Sequence, residues 1–122
     1  MELEEIFVPI PFFENFAVSS YGTVINLRTE MEVPRWLHAS TNRMKVRFHV
    51  LGAYMDFFVD DLVTEAFFVN WTPGIKIYYK NHDHTDCTVL NLTFDPQYAE
   101  ENDGRPRGRV RIDNRGKVRR QD

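Results

Sequence analysis

Between Lys45 and Leu51 the chain alternates, with Val46, Phe48 and Val50 on one side and Lys45, Arg47 and His49 on the other. Successive side chains of a strand point to opposite faces, so a period of two over this length marks a half-buried antiparallel strand. Such a strand needs a partner. Gly52 turns the chain, and Tyr54–Val59 is expected to return beside it. The period then changes. In VDDLVTEAFF, Leu62, Val63, Ala66 and Phe67 fall at helical spacing, with Asp60 or Asp61 where an N-cap belongs. The spacing predicts a short helix over Asp61–Phe68, ended by the turn-prone NWTPG.

Upstream, Pro9 and Pro11 argue against a helix in residues 1–16, and Phe12, Phe13 and Phe16 are expected to fold back onto the core. Ser19, Ser20 and Gly22 read as a turn and Thr23–Arg28 as a strand. Glu32–His38 reads as a further strand, restricted to an edge by Pro34. Downstream, Ile77–Phe94 (IYYKNHDHTDCTVLNLTF) is two apolar stretches around a cluster of His, Asp, Asn and Thr. Strands are expected over Lys76–Lys80 and Val89–Phe94, with Asn91 tying the hairpin together. Asp95-Pro96 is a helix-start signal, so Tyr98–Asn102 is expected to be a brief helix. Two strands and a helix make a ββα unit. Any chemistry is expected at its polar apex.

The 122 residues are one domain's worth, and 43% apolar residues with ten Phe supply one core. A single cysteine, Cys87, excludes an intramolecular disulfide and points to a reducing cytosol. No apolar run approaches the roughly 20 residues of a spanning helix, and the acidic MELEEIF start is unlike a signal peptide. A soluble cytoplasmic protein is expected, with no membrane partner. The net charge of −3 conceals a split. Residues 103–122 hold eight basic against three acidic side chains, and residues 1–102 hold seven basic against fifteen acidic. An anionic partner would meet the tail before the body.

Three blocks in order then carry a resemblance. EIFVPIPFFENFAVSSYGTVINLRT is similar to the nuclease-associated modular motif of phage HNH homing endonucleases, with V-S-S-Y-G-T-V standing for the family's V-S-N-x-G-x-V. VDDLVTEAFF resembles the family's V-H-R-L-V-A-x-x-F helix. YYKNHDHTDCTVLNLTF resembles the hairpin that opens the HNH centre. The resemblance covers about residues 4–100. It implies an α+β fold: an N-terminal antiparallel β region over 1–59, an HNH-like ββα-metal region over 60–102, and a basic C-terminal tail over 103–122. It also implies phage ancestry and residence in the infected host's cytoplasm.

What the resemblance implies about catalysis depends on register. In the family the hairpin His activates water, and neighbouring acidic or Asn residues hold one divalent metal (Mg or Mn) that stabilises charge on the phosphate. Aligned without gaps, the ligand and base positions fall on Tyr78 and Tyr79, the helix His and Arg on Asp60 and Asp61, and the last ligand near Glu100. A phenol titrating near ~10 is a poor base at neutral pH. This register implies a degenerate centre. Deleting three loop residues instead restores His82 as base with Asn81 and Asp83 as ligands and Glu100 as a further candidate. An imidazole from the 82–84 turn packed over the terminal short helix, with an acid beside it, would overturn the expectation of lost cleavage.

Each signal also has a plainer reading. HDHTD is a polar hairpin loop as well as a ligand cluster. A zinc site using Cys87 lacks a fourth ligand at usual spacing. Tyr78 and Tyr79 read as strand residues, one in and one out, and His38 and His49 as surface strand residues. Asp60, Asp61 and Glu65 read as helix-start electrostatics. The tail interleaves Arg with small residues, as a backbone-tracking arm does, but a solubilising tail or one folded onto the acidic body has the same composition. Three functions follow. The first is an HNH-like nucleic-acid-binding protein without cleavage, gripping double-stranded DNA through Arg28, Lys45, Arg47 and the tail residues Arg105, Arg107, Arg109, Arg111, Arg119 and Arg120. The second is an active metal-dependent endonuclease using His82. The third is an acidic module for a protein partner.

Overall fold

The computed structural model describes residues 3–100. Four short antiparallel strands come first: β1 (Phe7–Ile10), β2 (Phe13–Ser19), β3 (Val24–Asn26) and β4 (Met31–Glu32), hydrogen-bonded in that order. A second antiparallel sheet follows: β5 (Arg35–His38), β6 (Arg43–Val50) and β7 (Ala53–Phe58). Helix α1 (Val59–Phe67) leads to a two-stranded ribbon of β8 (Tyr78–Tyr79) and β9 (Leu92–Thr93). The α+β class stands.

The alternation in β6 does what its period requires. Val46 and Phe48 are fully buried, and Phe48 stacks on Phe16 of β2 with centroids 4.1 Å apart. Val59, Leu62 and Val63 of α1 close over the same cluster, which also takes in Tyr79, Cys87 and Leu92. One hydrophobic core therefore joins both sheets, the helix and the ribbon. The Ser19–Gly22 turn is tied to the ribbon loop by the Val89 amide donating to the Ser20 carbonyl at 2.9 Å. Gly22 has φ +85°, and a Cβ placed there would lie 2.9 Å from the Cys87 Cβ, so turn and loop touch where only glycine fits.

Several expectations need correction. Glu32–His38 is not one strand. The chain breaks at Pro34, and the two pieces pair in different sheets. Phe12 does not fold back but is 94% exposed at the β1–β2 turn, with φ 67°, while Phe13 and Phe16 pack inward. The strands over 76–80 and 89–94 shrink to two residues each, and Val89–Asn91 is a 3₁₀ turn. Here loop side chains take the hydrogen bonds that a ladder would have used. The helix begins at Val59, with Phe58 at the N-cap position and no side-chain cap. Asp95 does cap a 3₁₀ turn at Pro96–Tyr98, its carboxylate accepting from the Gln97 amide. The expected brief helix over Tyr98–Asn102 is corrected: the turn ends at Tyr98, Ala99 is extended and Glu100 is not helical. Residues 101–102, the tail and its possible hairpin lie outside the described residues.

Candidate functional site

Asp60 sits in the first turn of α1, only 1% exposed. Burying a carboxylate costs about 5 kcal/mol unless donors surround it. Four do. Arg43 of β6 binds it bidentately, Nη2 to Oδ1 at 2.6 Å and Nε to Oδ2 at 3.0 Å. The Tyr79 hydroxyl donates to Oδ2 at 2.5 Å, and the Asp61 amide to Oδ1 at 2.7 Å. Arg43 also reaches Asp61 Oδ2 at 3.0 Å and lies 3.8 Å over the Phe58 ring. Asp60 does stand in the first turn of α1 and accepts from its Asp61 amide, but it does more than serve the helix start. It is the centre of a buried ion-pair network joining β6, α1 and β8.

This network sets the local electrostatics. Burial, and then the charge of Asp60, pushes the Tyr79 phenol far above its usual range. Tyr79 is a neutral donor, not a base. Burial opposes the charge on Arg43, but the hydrogen bond and charge of Asp60 outweigh it and hold the guanidinium protonated. Asp61 is raised, chiefly by burial, with Asp60 adding to it and Arg43 opposing. A cleft of about 170 Å³ opens beside the network, lined by Thr41, Arg43, Asp61, Lys76 and His84 among others.

His84 closes one side of this cleft. Its ring stacks on Tyr79, centroids 4.4 Å apart and planes 19° from parallel. Nδ1 lies 2.8 Å from the Asn42 carbonyl, and Nε2 lies 2.6 Å from Glu100 Oε2. A carbonyl only accepts, so Nδ1 donates to it and Nε2 faces the Glu100 carboxyl. Both ring nitrogens are engaged. The imidazole of the 82–84 turn that meets an acid is thus His84, not His82.

The remaining loop residues bond among themselves. The Asp83 amide donates to Asn81 Oδ1, Asn81 Nδ2 to Asp86 Oδ2, and Thr85 donates twice to Asp83 Oδ1. The Thr85 bonds hold the Asp83 carboxyl below its usual range. His82 is exposed, with φ 62°. Asn91 ties the hairpin as expected, accepting from the Asn81 amide and donating to the Asp86 carbonyl. Asn81 and Asp83 are thus joined to each other, whereas Glu100 is joined to His84. Cys87 is buried, and burial followed by the charge of Asp60 pushes its thiol up to about 12. Among the described residues no three His, Cys, Asp or Glu side chains gather closely enough to hold a metal. As placed, these residues do not fit the divalent metal that the family resemblance implies.

Of the basic residues expected to grip nucleic acid, Lys45 and Arg47 share the outer face of β6. Arg28 is exposed beyond β3 in the other sheet, and the six tail arginines lie outside the described residues. Sequence reasoning missed Asp56, which pairs with both Arg47 (2.7 Å) and Lys45 (3.7 Å). It also missed Arg43 as the partner of Asp60. The only signal for the first was cross-strand register: with β7 set opposite β6, Asp56 faces Arg47.

No protein-family model and no curated protein sequence matches the chain. One similar solved structure concerns DNA binding and cleavage by the HNH homing endonuclease I-HmuI. The match has a TM-score of 0.64 at 18% sequence identity, and covers 71% of this chain. It spans 50% of the I-HmuI chain, so half of that protein has no counterpart in the match. The likeness is one of fold.

Proposed function

We propose that this chain is a nucleic-acid-binding protein of the HNH homing-endonuclease type, with the hydrolytic centre replaced by the buried Arg43–Asp60–Tyr79 network. The observation that carries this is the Tyr79 hydroxyl bonded at 2.5 Å to a buried carboxylate. By the gap-free register the family's base stands there, and a neutral phenol committed to Asp60 accepts no proton from water. The fold shared with a DNA-binding and DNA-cleaving protein supports nucleic acid as the partner. The basic tail, net +5, supports a sequence-tolerant grip on phosphates of duplex DNA. Full-length protein is expected to bind duplex DNA with an affinity that falls as salt rises and drops when residues 103–122 are removed. No retention of DNA at low salt would overturn this and favour a protein partner for the acidic body.

A second reading rests on His84. Its contact with Glu100 is the imidazole–acid arrangement that speaks for retained cleavage. His84 would act as base only after Glu100 releases Nε2, which it engages at 2.6 Å. Plasmid nicking in magnesium or manganese that disappears in His84→Ala, and persists in His82→Ala, would establish this reading and defeat the first. No nicking by the parent protein leaves the first.

A further inference from the structure

The outer face of the β5–β6–β7 sheet carries groups that the nuclease-like centre does not use. Register places Trp36, Lys45 and Phe58 in one cross-strand row, Arg47 opposite Asp56 in the next, and His49 opposite Tyr54 in the third. The inner face is core; on the outer face Arg43 and Lys45 cover Phe58, while Trp36 and Tyr54 stay open. Trp36 is 36% and Tyr54 67% exposed. The Arg47 guanidinium lies between them, 5.7 Å from the Trp36 centroid and 5.8 Å from that of Tyr54. Two bonds to Asp56, at 2.7 and 3.1 Å, fix its plane. His49 extends the row, stacked on Tyr54 at 4.6 Å. Three strands thus present a tray of flat π groups to solvent.

Charge decides what such a tray takes. Lys45 and Arg47 share the single carboxylate of Asp56, so the rows that carry the exposed rings hold two cations to one anion, with Asp61 and Glu65 lying beyond Phe58. That is enough to favour a polyanion, but less than the several cations by which proteins track duplex phosphates. A protein partner prefers an interface centre depleted of charge, and the centre here is an ion pair. Flat exposed rings and a planar guanidinium suit the π faces of bases, which a duplex hides between stacked neighbours and an unpaired strand offers. We propose that this face binds single-stranded nucleic acid, stacking unpaired bases on Trp36 and Tyr54 with Arg47 between them. This rests on the nucleic-acid reading above and narrows it.

The test is fluorescence anisotropy of the full-length protein with a labelled oligothymidylate of about 20 nucleotides, an abasic strand of equal length, and a duplex of that length. Oligothymidylate should bind at least about tenfold tighter than the abasic strand, and Trp36→Ala and Tyr54→Ala should each weaken it about tenfold. Duplex binding should be unchanged in both variants, and Trp36→Phe should retain most of the single-strand affinity. Thermal melts followed by circular dichroism verify that the variants fold. Equal binding of the abasic strand, or parent-like binding by both alanine variants, overturns the proposal. Duplex binding with no single-strand binding defeats the stacking face alone. Loss of all nucleic-acid binding defeats the broader reading with it.

Discussion

Replacing Tyr79 with Phe removes one hydroxyl from the interior and leaves the ring in place, which isolates the bond to Asp60. The bond is short, at 2.5 Å, and its acceptor is charged. Hydrogen bonds to charged groups contribute roughly 1.5–3 kcal/mol. Asp60 keeps the bidentate Arg43 pair and the Asp61 amide in Tyr79→Phe, so the carboxylate is not orphaned and the loss should be near ~1.5 kcal/mol. Asp60→Ala is more severe. It strips Arg43, whose side chain is 29% exposed, of its main partner and leaves the Tyr79 hydroxyl unpaired. Removing one member of a buried pair costs about 3–5 kcal/mol, and the remaining Asp61 contact places this case at the lower end. The two changes should not add. In the Asp60→Ala background, Tyr79→Phe should cost nothing, giving a coupling of at least about 1 kcal/mol. Urea unfolding of the parent, both single variants and the double variant measures this, with an unchanged m-value as the check on two-state behaviour. Equal costs of Tyr79→Phe in both backgrounds would refute the network as the element that binds β8 to α1.

Asp61 yields a pH prediction. Its folded-state pKa is raised, so the native state holds its proton more tightly than the unfolded chain, and stability from this group is lost as pH rises through the folded value. Asp61→Asn should therefore gain on the parent as pH rises above the usual carboxylate range, measured by urea midpoints at each pH. Cys87, with its thiol pushed up to about 12 and buried, should resist thiol reagents in the native protein and react fully in denaturant. Gly22→Ala should destabilise by about 2–4 kcal/mol in thermal or urea melts, because a Cβ there strains a positive φ and meets the Cys87 Cβ.

What the sequence made legible was whatever repeats locally. The β6 alternation and the change of period at α1 are one-dimensional signals, the Asp95 cap acts two residues from its partner, and Asn91 acts within its own hairpin. The misses are pairings at a distance. Nothing in VDD indicates that the first of its two acids is buried and the second half-exposed, because that depends on Arg43 arriving from another strand. Pro34 marked an edge correctly, yet its effect was larger, since the chain leaves one sheet for another there. The ribbon is shorter than its apolar pattern because Asn81, Asp83 and Asp86 satisfy backbone groups with their own side chains. His82 and His84 are indistinguishable in HDHTD. Only the approach of Asn42 and Glu100 separates them.

The meeting of Gly22 with Cys87 has a consequence for how this fold tolerates change. The spacing between an early turn and a late loop is set there by the absence of a single methyl group, and the loop holding His84 inherits its location from that spacing. An exposed crest side chain such as His82 can be exchanged without shifting the loop's root. A larger side chain at position 22 has no such latitude, and would move every ring and carboxylate that the loop brings to the cleft.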